Sequence, residues 1–234
     1  MREHYAERAV GAAAADLLIC AWSRTTADGP ARTYRIVPDG CVDLIWTGST
    51  LFVAGPDTGA VLTPAQPGTL YGVRFRPGVA PALLGLPASA ITDARPNLDE
   101  LGRQTFADRL PDQLSAAENP ADLLEQAVCL ELRRDRLDPA VPDLVAGLRR
   151  GQTVTELSER FGLTERSLHR RSVAAFGYGP KTLQRVLRFQ RALRLVRAGR
   201  SYADAAFESG YADQPHLARE VRALAGVPLS QLRQ

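Results

Sequence analysis

The chain has 234 residues, an ordinary hydrophobic content of 45% and a net charge of +3. That length can bury one large core or two modest ones, and no stretch is apolar for long enough to cross a bilayer as a helix. Three widely spaced cysteines, Cys20, Cys41 and Cys129, fit a reducing compartment and lack zinc spacing, and the mixed charges of MREHYAERAV do not make a secretory signal.

Taken in order, the first element expected is a helix over Glu7–Ala21. Short β-prone runs follow at Tyr34–Val37, Val42–Trp46, Leu51–Val53, Val61–Thr63 and Thr69–Phe75, separated by turns such as Pro38-Asp39-Gly40 and Pro56-Asp57-Thr58-Gly59. A short helix around Val79–Leu84 and two longer ones, Leu98–Leu110 and Ala121–Asp135, complete this part. Asp138-Pro139 marks a boundary, because proline disfavours helix in the residue before it. The expected fold is α+β. Residues 1–138 form a small β-rich domain with helices, and residues 139–234 form an all-α domain.

Beyond Pro139 nearly everything reads as helix. Val141–Arg150 stops at Gly151, Thr153–Arg160 is short, and Thr164 is the N-cap expected for Glu165–Phe176. Pro180 opens a long helix to Ala198, ended by Gly199. Ser201 caps Tyr202–Glu208, Asp213 caps Gln214–Ala225, and Gly226 closes the last helix. Residues 153–177 and 201–226 therefore share one layout: short helix, glycine turn, polar cap, helix with basic residues. This is the helix-turn-helix form, in which the second helix enters the major groove of DNA. Charge follows the same division. Residues 1–138 carry 13 Arg against 18 Asp and Glu, while residues 139–234 carry 15 Arg and one Lys against 8 acids. A basic segment joined to an acidic one points to a nucleic-acid module with a partner domain.

The string YADAAFESGYADQPHLAREVRALAGVPLSQLR resembles the signature of the AraC-type transcription regulators, including the Gly-Tyr turn, Arg219 and the ending at Gly226–Pro228. Residues 176–193, FGYGPKTLQRVLRFQRAL, are similar to a subgroup with a short N-terminal partner domain. VPDGCVDLIW and LFVAGPDTG resemble that partner domain, which is itself distantly similar to the small cupin-like β-barrel sensor domain of the wider family. Where the family usually has aromatic residues, this chain has Leu217 and Val221, both apolar. The resemblance implies a cytoplasmic regulator with two helix-turn-helix units on a connecting helix. It would bind double-stranded DNA as a monomer or homodimer, and would contact RNA polymerase if it activates. A small-molecule effector of the N-terminal domain is implied too, and neither a cofactor nor a metal.

Residues outward on the two second helices are the DNA-contact candidates: Thr164, Arg166, Ser167, Arg170 and Arg171, then Asp213, Gln214, His216, Arg219 and Arg222. Arg166, Arg170, Gln214 and His216 suit base edges, since Arg pairs with guanine and Gln with adenine. Arg171, Arg219 and Arg222 suit phosphates. Thr153 and Ser201, at the starts of the first helices, offer hydroxyls and amides to phosphate. Arg219 also has internal partners in reach of sequence, Glu220 and Glu208. Leu157, Phe161, Leu163, Leu168, Ala206, Phe207, Leu217, Val221 and Leu224 read as core.

In the N-terminal domain, Trp22, Tyr34, Trp46, Tyr71 and Phe75 are candidates for an apolar effector pocket, with a plain core the favoured reading of the same residues. Cys41 reads as a buried thiol, Cys20 and Cys129 as helix-core residues. The chain contains no Gly-rich phosphate loop and no nucleophile elbow, so an enzyme is not expected. The alternative is a helical protein-interaction module without sequence-specific DNA binding, which would carry an apolar stripe on the second helices.

Overall fold

The computed structural model describes residues 4–30 and 32–232. Among the described residues the N-terminal part contains seven strands: β1 (His4–Arg8), β2 (Leu18–Thr26), β3 (Thr33–Ile36), β4 (Asp43–Trp46), β5 (Leu51–Ala54), β6 (Val61–Pro64) and β7 (Gly68–Phe75). All pairings are antiparallel. They form a five-stranded sheet in the order β1-β2-β7-β4-β5 and a separate two-stranded sheet, β3-β6. Helices α1 (Ala80–Leu84), α2 (Gln104–Ala116) and α3 (Pro120–Glu131) follow.

The early helix expected over Glu7–Ala21 is absent. Its residues are shared among β1, a single 3-10 turn at Ala12–Ala14 and the start of β2. Alanine favours helix, but the preference is only tenths of a kcal/mol per residue. Leu18–Thr26 instead carries Ile19, Trp22, Thr25 and Thr26, which fit a pleated surface, and it pairs on both edges, with β1 and β7. Cys20 is accordingly a strand residue, whereas Cys129 lies on α3. The helix expected over Leu98–Leu110 is also interrupted. Gly102 takes φ 71 after a 3-10 turn, and α2 starts beyond it.

The five-stranded sheet alternates. Ala21, Leu44, Trp46, Val53, Val73 and Phe75 point to one face and pack with Leu110, Leu114, Leu124 and Val128 of α2 and α3. Cys20, Trp22 and Ile45 form a smaller cluster on the other face. Gly72 is needed there, because a Cβ would stand 2.4 Å from the Trp22 indole.

Among the described residues six α-helices follow, α4 (Val141–Arg149), α5 (Val154–Arg160), α6 (Glu165–Phe176), α7 (Pro180–Arg197), α8 (Tyr202–Glu208) and α9 (Gln214–Ala225), and then a 3-10 turn at Leu229–Leu232. Each α-helix lies within a residue or so of its sequence expectation, because its stop signals are local. The Thr153 hydroxyl accepts from the Glu156 amide at 3.2 Å, and the Glu156 carboxylate accepts from the Thr153 amide at 2.7 Å. Thr164, Ser201 and Asp213 cap α6, α8 and α9 through the third amide of each helix. Gly177 and Gly226 adopt positive φ behind α6 and α9.

The middle of the chain serves two cores. Leu183, Val186 and Leu187 of α7 pack with α4, α5 and α6. Further along the same helix, Phe189, Ala192, Leu193 and Val196 pack with α8 and α9. One rigid 18-residue helix thus belongs to both helix-turn-helix units and sets their relation. Among the described residues, no helix is long and apolar enough to cross a membrane.

Candidate nucleic-acid interface

The two units superpose in layout with one difference. Thr153, Phe161 and Gly162 correspond to Ser201, Ser209 and Gly210, and then Ala212 is an extra residue before the second cap. After it, Leu168 and Phe176 correspond to Leu217 and Ala225, all buried. The same offset sets Arg170 opposite Arg219, and both are exposed.

The front of α6 presents Arg166, His169 and Arg170 to solvent, and the front of α9 presents Gln214, Arg219 and Arg222. Among the described residues, no carboxylate pairs with Arg166, Arg170, Arg219 or Arg222. Glu220, the sequence neighbour of Arg219, is instead engaged by Arg185 from α7 at 3.0 and 3.2 Å. Glu208 lies 3.6 Å from Arg200. These guanidiniums are therefore available for bidentate contacts outside the chain.

Several other candidates have internal work. Thr164 and Asp213 are N-caps, and Asp213 accepts from the His216 amide at 2.6 Å. Ser167 receives the Thr164 hydroxyl at 3.0 Å. Arg171 is half-buried and its guanidinium closes on both oxygens of Asp138. Hydrogen bonds from Arg171, with the Ala140 amide, hold the Asp138 carboxyl below its usual range. The His216 ring meets Tyr211 edge-on at 5.2 Å, and Nδ1 accepts from the Ala212 amide at 3.4 Å, so it braces the lengthened turn. Thr153 and Ser201 are closed in the same way. Their side chains face Glu156 and Asp204, which would repel a phosphate.

Phe207 departs from its expected core position. It is 82% exposed on α8, because the inward face of that short helix is filled by Ala205 and Ala206. Phe161 and Leu163 are half-buried at the edge of their core, and the other expected core positions are buried.

In the N-terminal domain a cavity of about 490 Å³ lies between the two sheets. Trp22 and Tyr34 line it, as expected. Trp46 and Phe75 do not: both are buried in the core beneath the helices, and Tyr71 packs partly buried against that core. The reason is the two-residue period of a strand. Trp46 and Phe75 stand one residue off the cavity-facing register of Ile45 and Arg74, and Tyr71 one residue off Leu70. Aromatic type alone does not reveal this parity, which also brings charged groups inward. Arg24 lies 4.5 Å above the Tyr34 ring and 5.1 Å from Tyr5. Arg74 donates to Asp43 at 3.1 and 3.3 Å, and Arg95 to Asp57 at 2.7 and 2.9 Å. Burial pushes both carboxyls up, and the paired arginines oppose that shift. Cys41 is buried, as expected, and burial raises its thiol well above the ordinary value.

The N-terminal part meets both units. Thr92 donates to the Gly177 carbonyl at 3.1 Å, Gln190 of α7 donates to the Pro38 carbonyl at 2.6 Å, and Arg35 of β3 donates to the Ala225 carbonyl at 2.8 Å.

Comparison with known proteins finds two family models that match separate stretches of the chain. Residues 12–97 match the family described as a domain of unknown function (DUF6597), and residues 157–234 match a helix-turn-helix domain. No curated protein matches the chain at a significant level. Among solved structures, ToxT of Vibrio cholerae O395 is similar at 10% identity, covering 87% of this chain and 96% of that one, with a TM-score of 0.46. The C-terminal domain of AraT, a response regulator from Geobacillus stearothermophilus, is similar at 20% identity over 42% of this chain and 86% of that one, with a TM-score of 0.39. The stretch that matches the helix-turn-helix model, residues 157–234, takes in most of α5 and all of α6 to α9.

Proposed function

We propose that this protein is an AraC-type transcription regulator that binds double-stranded DNA sequence-specifically through α6 and α9, working in the cytoplasm. Residues 139–234 are the DNA-binding part and residues 1–138 the sensor. The observation that carries this reading is the pair of exposed, carboxylate-free arginines at equivalent positions of the two units, Arg170 and Arg219. Arg166, Arg170 and Gln214 read bases, while Arg219 and Arg222 meet phosphates. The alternative, a protein-interaction module, calls for an apolar stripe of large side chains on α6 and α9, but the large residues exposed at the front of both helices are polar or charged, and the apolar ones on α9, Pro215 and Ala218, are small.

The sensor reading rests on the cavity between the two sheets. Its apolar walls with a few charged groups suit a small effector bearing a polar end. Selection of bound sites from random DNA by the full chain tests the main proposal. An enriched motif that disappears in an Arg170→Ala/Gln214→Ala variant is expected. No enrichment with the unmodified chain overturns it.

A further inference from the structure

A second cavity, about 800 Å³, opens between the N-terminal part and the helical domain. Its volume lies in the range of about 300–1,000 Å³ common for small-molecule sites. One wall is a single face of α7, where Gln184, Arg188 and Arg191 recur at helical spacing and Arg194 follows one turn later. Arg149, from the last turn of α4, and Arg74, from β7, close it from two other directions.

Charge in this cleft is one-sided. Five guanidiniums line it against one carboxylate, that of Asp39. Arg74 is already held by Asp43 and lies 3.4 Å from Asp39, which leaves the other four. Among the described residues, no carboxylate pairs with Arg149, Arg188, Arg191 or Arg194. Two polar atoms in the wall are also unsatisfied. Arg188 lies 4.4 Å over the Tyr211 ring with its Nε buried and without an acceptor. Ser209, 5% exposed at the end of α8, has a buried hydroxyl without a partner. Like charges gathered without counterions repel one another, and buried donors without acceptors are costly. Both defects are removed by an anion with several acceptor oxygens.

We infer that this cleft binds a small phosphate-bearing polyanion of about nucleotide size. Phosphate suits the unpaired guanidinium forks that converge from α4 and α7, because each group offers several charged oxygens. The apolar side chains in the wall are few, among them Ile19, Leu148 and Leu187, which gives a long acyl chain little to lie on. The ligand touches β7, α4, α7 and the turn after α8 at once. Its binding therefore favours the arrangement of the two units seen here. The cleft is separate from the apolar cavity between the sheets. Asp39, Cys41 and Arg74 form the shared wall. The inference does not depend on what that cavity binds, or on the operator.

Titration calorimetry of the full chain with sodium tripolyphosphate, at fixed ionic strength, tests it. Saturable one-to-one binding is expected. An Arg191→Ala/Arg194→Ala variant should weaken it by about tenfold or more, since each charge-assisted bond contributes about that factor. Both residues are exposed, so the fold is undisturbed. Arg136→Ala, which removes an exposed arginine outside the cleft, and Arg166→Ala/Arg170→Ala, on α6, should bind as the unmodified chain does. Absent or non-saturable binding overturns the inference, as does equal binding by the Arg191/Arg194 variant. Loss of binding in the Arg166/Arg170 variant also overturns it, placing the anion on the recognition helix. If the Arg191/Arg194 variant loses affinity for a DNA duplex while the unmodified chain ignores tripolyphosphate, the arginines serve the DNA backbone and the inference fails.

Discussion

Arg35 Nη1 donates a 2.8 Å hydrogen bond to the carbonyl of Ala225, the last residue of α9. A guanidinium at that point meets an orphan carbonyl and the negative end of the helix dipole. Arg35 sits between Tyr34 and Ile36, both of which line the cavity between the sheets. At the other unit, Thr92 bonds the carbonyl of Gly177 behind α6. Both α6 and α9 therefore end on the N-terminal part, and β3 links the cavity wall to one of them.

Replacing Arg35 by alanine should release the end of α9. The expected cost is about 1 kcal/mol of stability. Amide hydrogen exchange over residues 214–226 should quicken while that over residues 165–177 is unchanged. Identical exchange in both segments would show that the contact does not hold the helix.

Leu217 is fully buried and Phe207 is 82% exposed, although both are large apolar residues of the same unit. Leu217→Ala should cost about 2–5 kcal/mol through lost burial and the cavity left behind. Phe207→Ala should change stability by less than about 0.5 kcal/mol. Urea unfolding of the two variants gives the comparison, and equal losses would contradict the placement of Phe207.

The Asp138–Arg171 pair has a definite pH signature. The folded-state value of Asp138 is depressed, chiefly by hydrogen bonds from Arg171. Its contribution is therefore complete above the unfolded value of about 3.9 and disappears as pH falls through the folded value. Both partners are partly solvent-exposed, which limits the effect to about 1 kcal/mol. The stability difference between the unmodified chain and Asp138→Asn should be present at pH 6 and shrink steadily below pH 4 in urea titrations. A difference independent of pH would rule the pair out as its source.

Arginine availability predicts salt dependence. Arg219→Ala or Arg222→Ala should each reduce the slope of log affinity against log salt by about 0.9, the loss of one phosphate contact. Arg171→Ala should leave the slope unchanged, because its guanidinium is already held by Asp138. Fluorescence anisotropy with a labelled duplex at several salt concentrations distinguishes the three. A reduced slope for Arg171→Ala would mean that the pair opens on DNA.

Burial should also silence the thiols of Cys20 and Cys41. Burial raises the Cys20 value to about 11 and holds Cys41 well above the ordinary thiol value, so neither is a thiolate at neutral pH. Alkylation followed by mass spectrometry should modify both only after denaturation. Rapid labelling of Cys41 in the folded chain would show a wall open to reagent.

The helical domain is legible in the amino-acid sequence because its determinants are local. Thr153, Thr164, Ser201 and Asp213 bond amides three residues ahead, and Gly177 and Gly226 relieve strain at single positions. Such interactions are written in adjacent letters. Exposure of Arg166, Arg170, Gln214, Arg219 and Arg222 follows from the same helical period.

Only the tertiary structure decided the rest. Whether Leu18–Thr26 became strand depended on β7, some fifty residues away, overriding a weak helical preference. Which aromatic residues faced the cavity depended on strand parity, which a one-residue slip reverses. Asp138 removed Arg171 from the free arginines, Glu220 went to Arg185 rather than Arg219, and His216 turned to Tyr211. These are contacts between side chains whose partners no local pattern names. The sequence alone determined that the chain carries two capped helix-turn-helix units on one helix. Long-range pairing and packing decided which of their charged residues remain free to meet a partner.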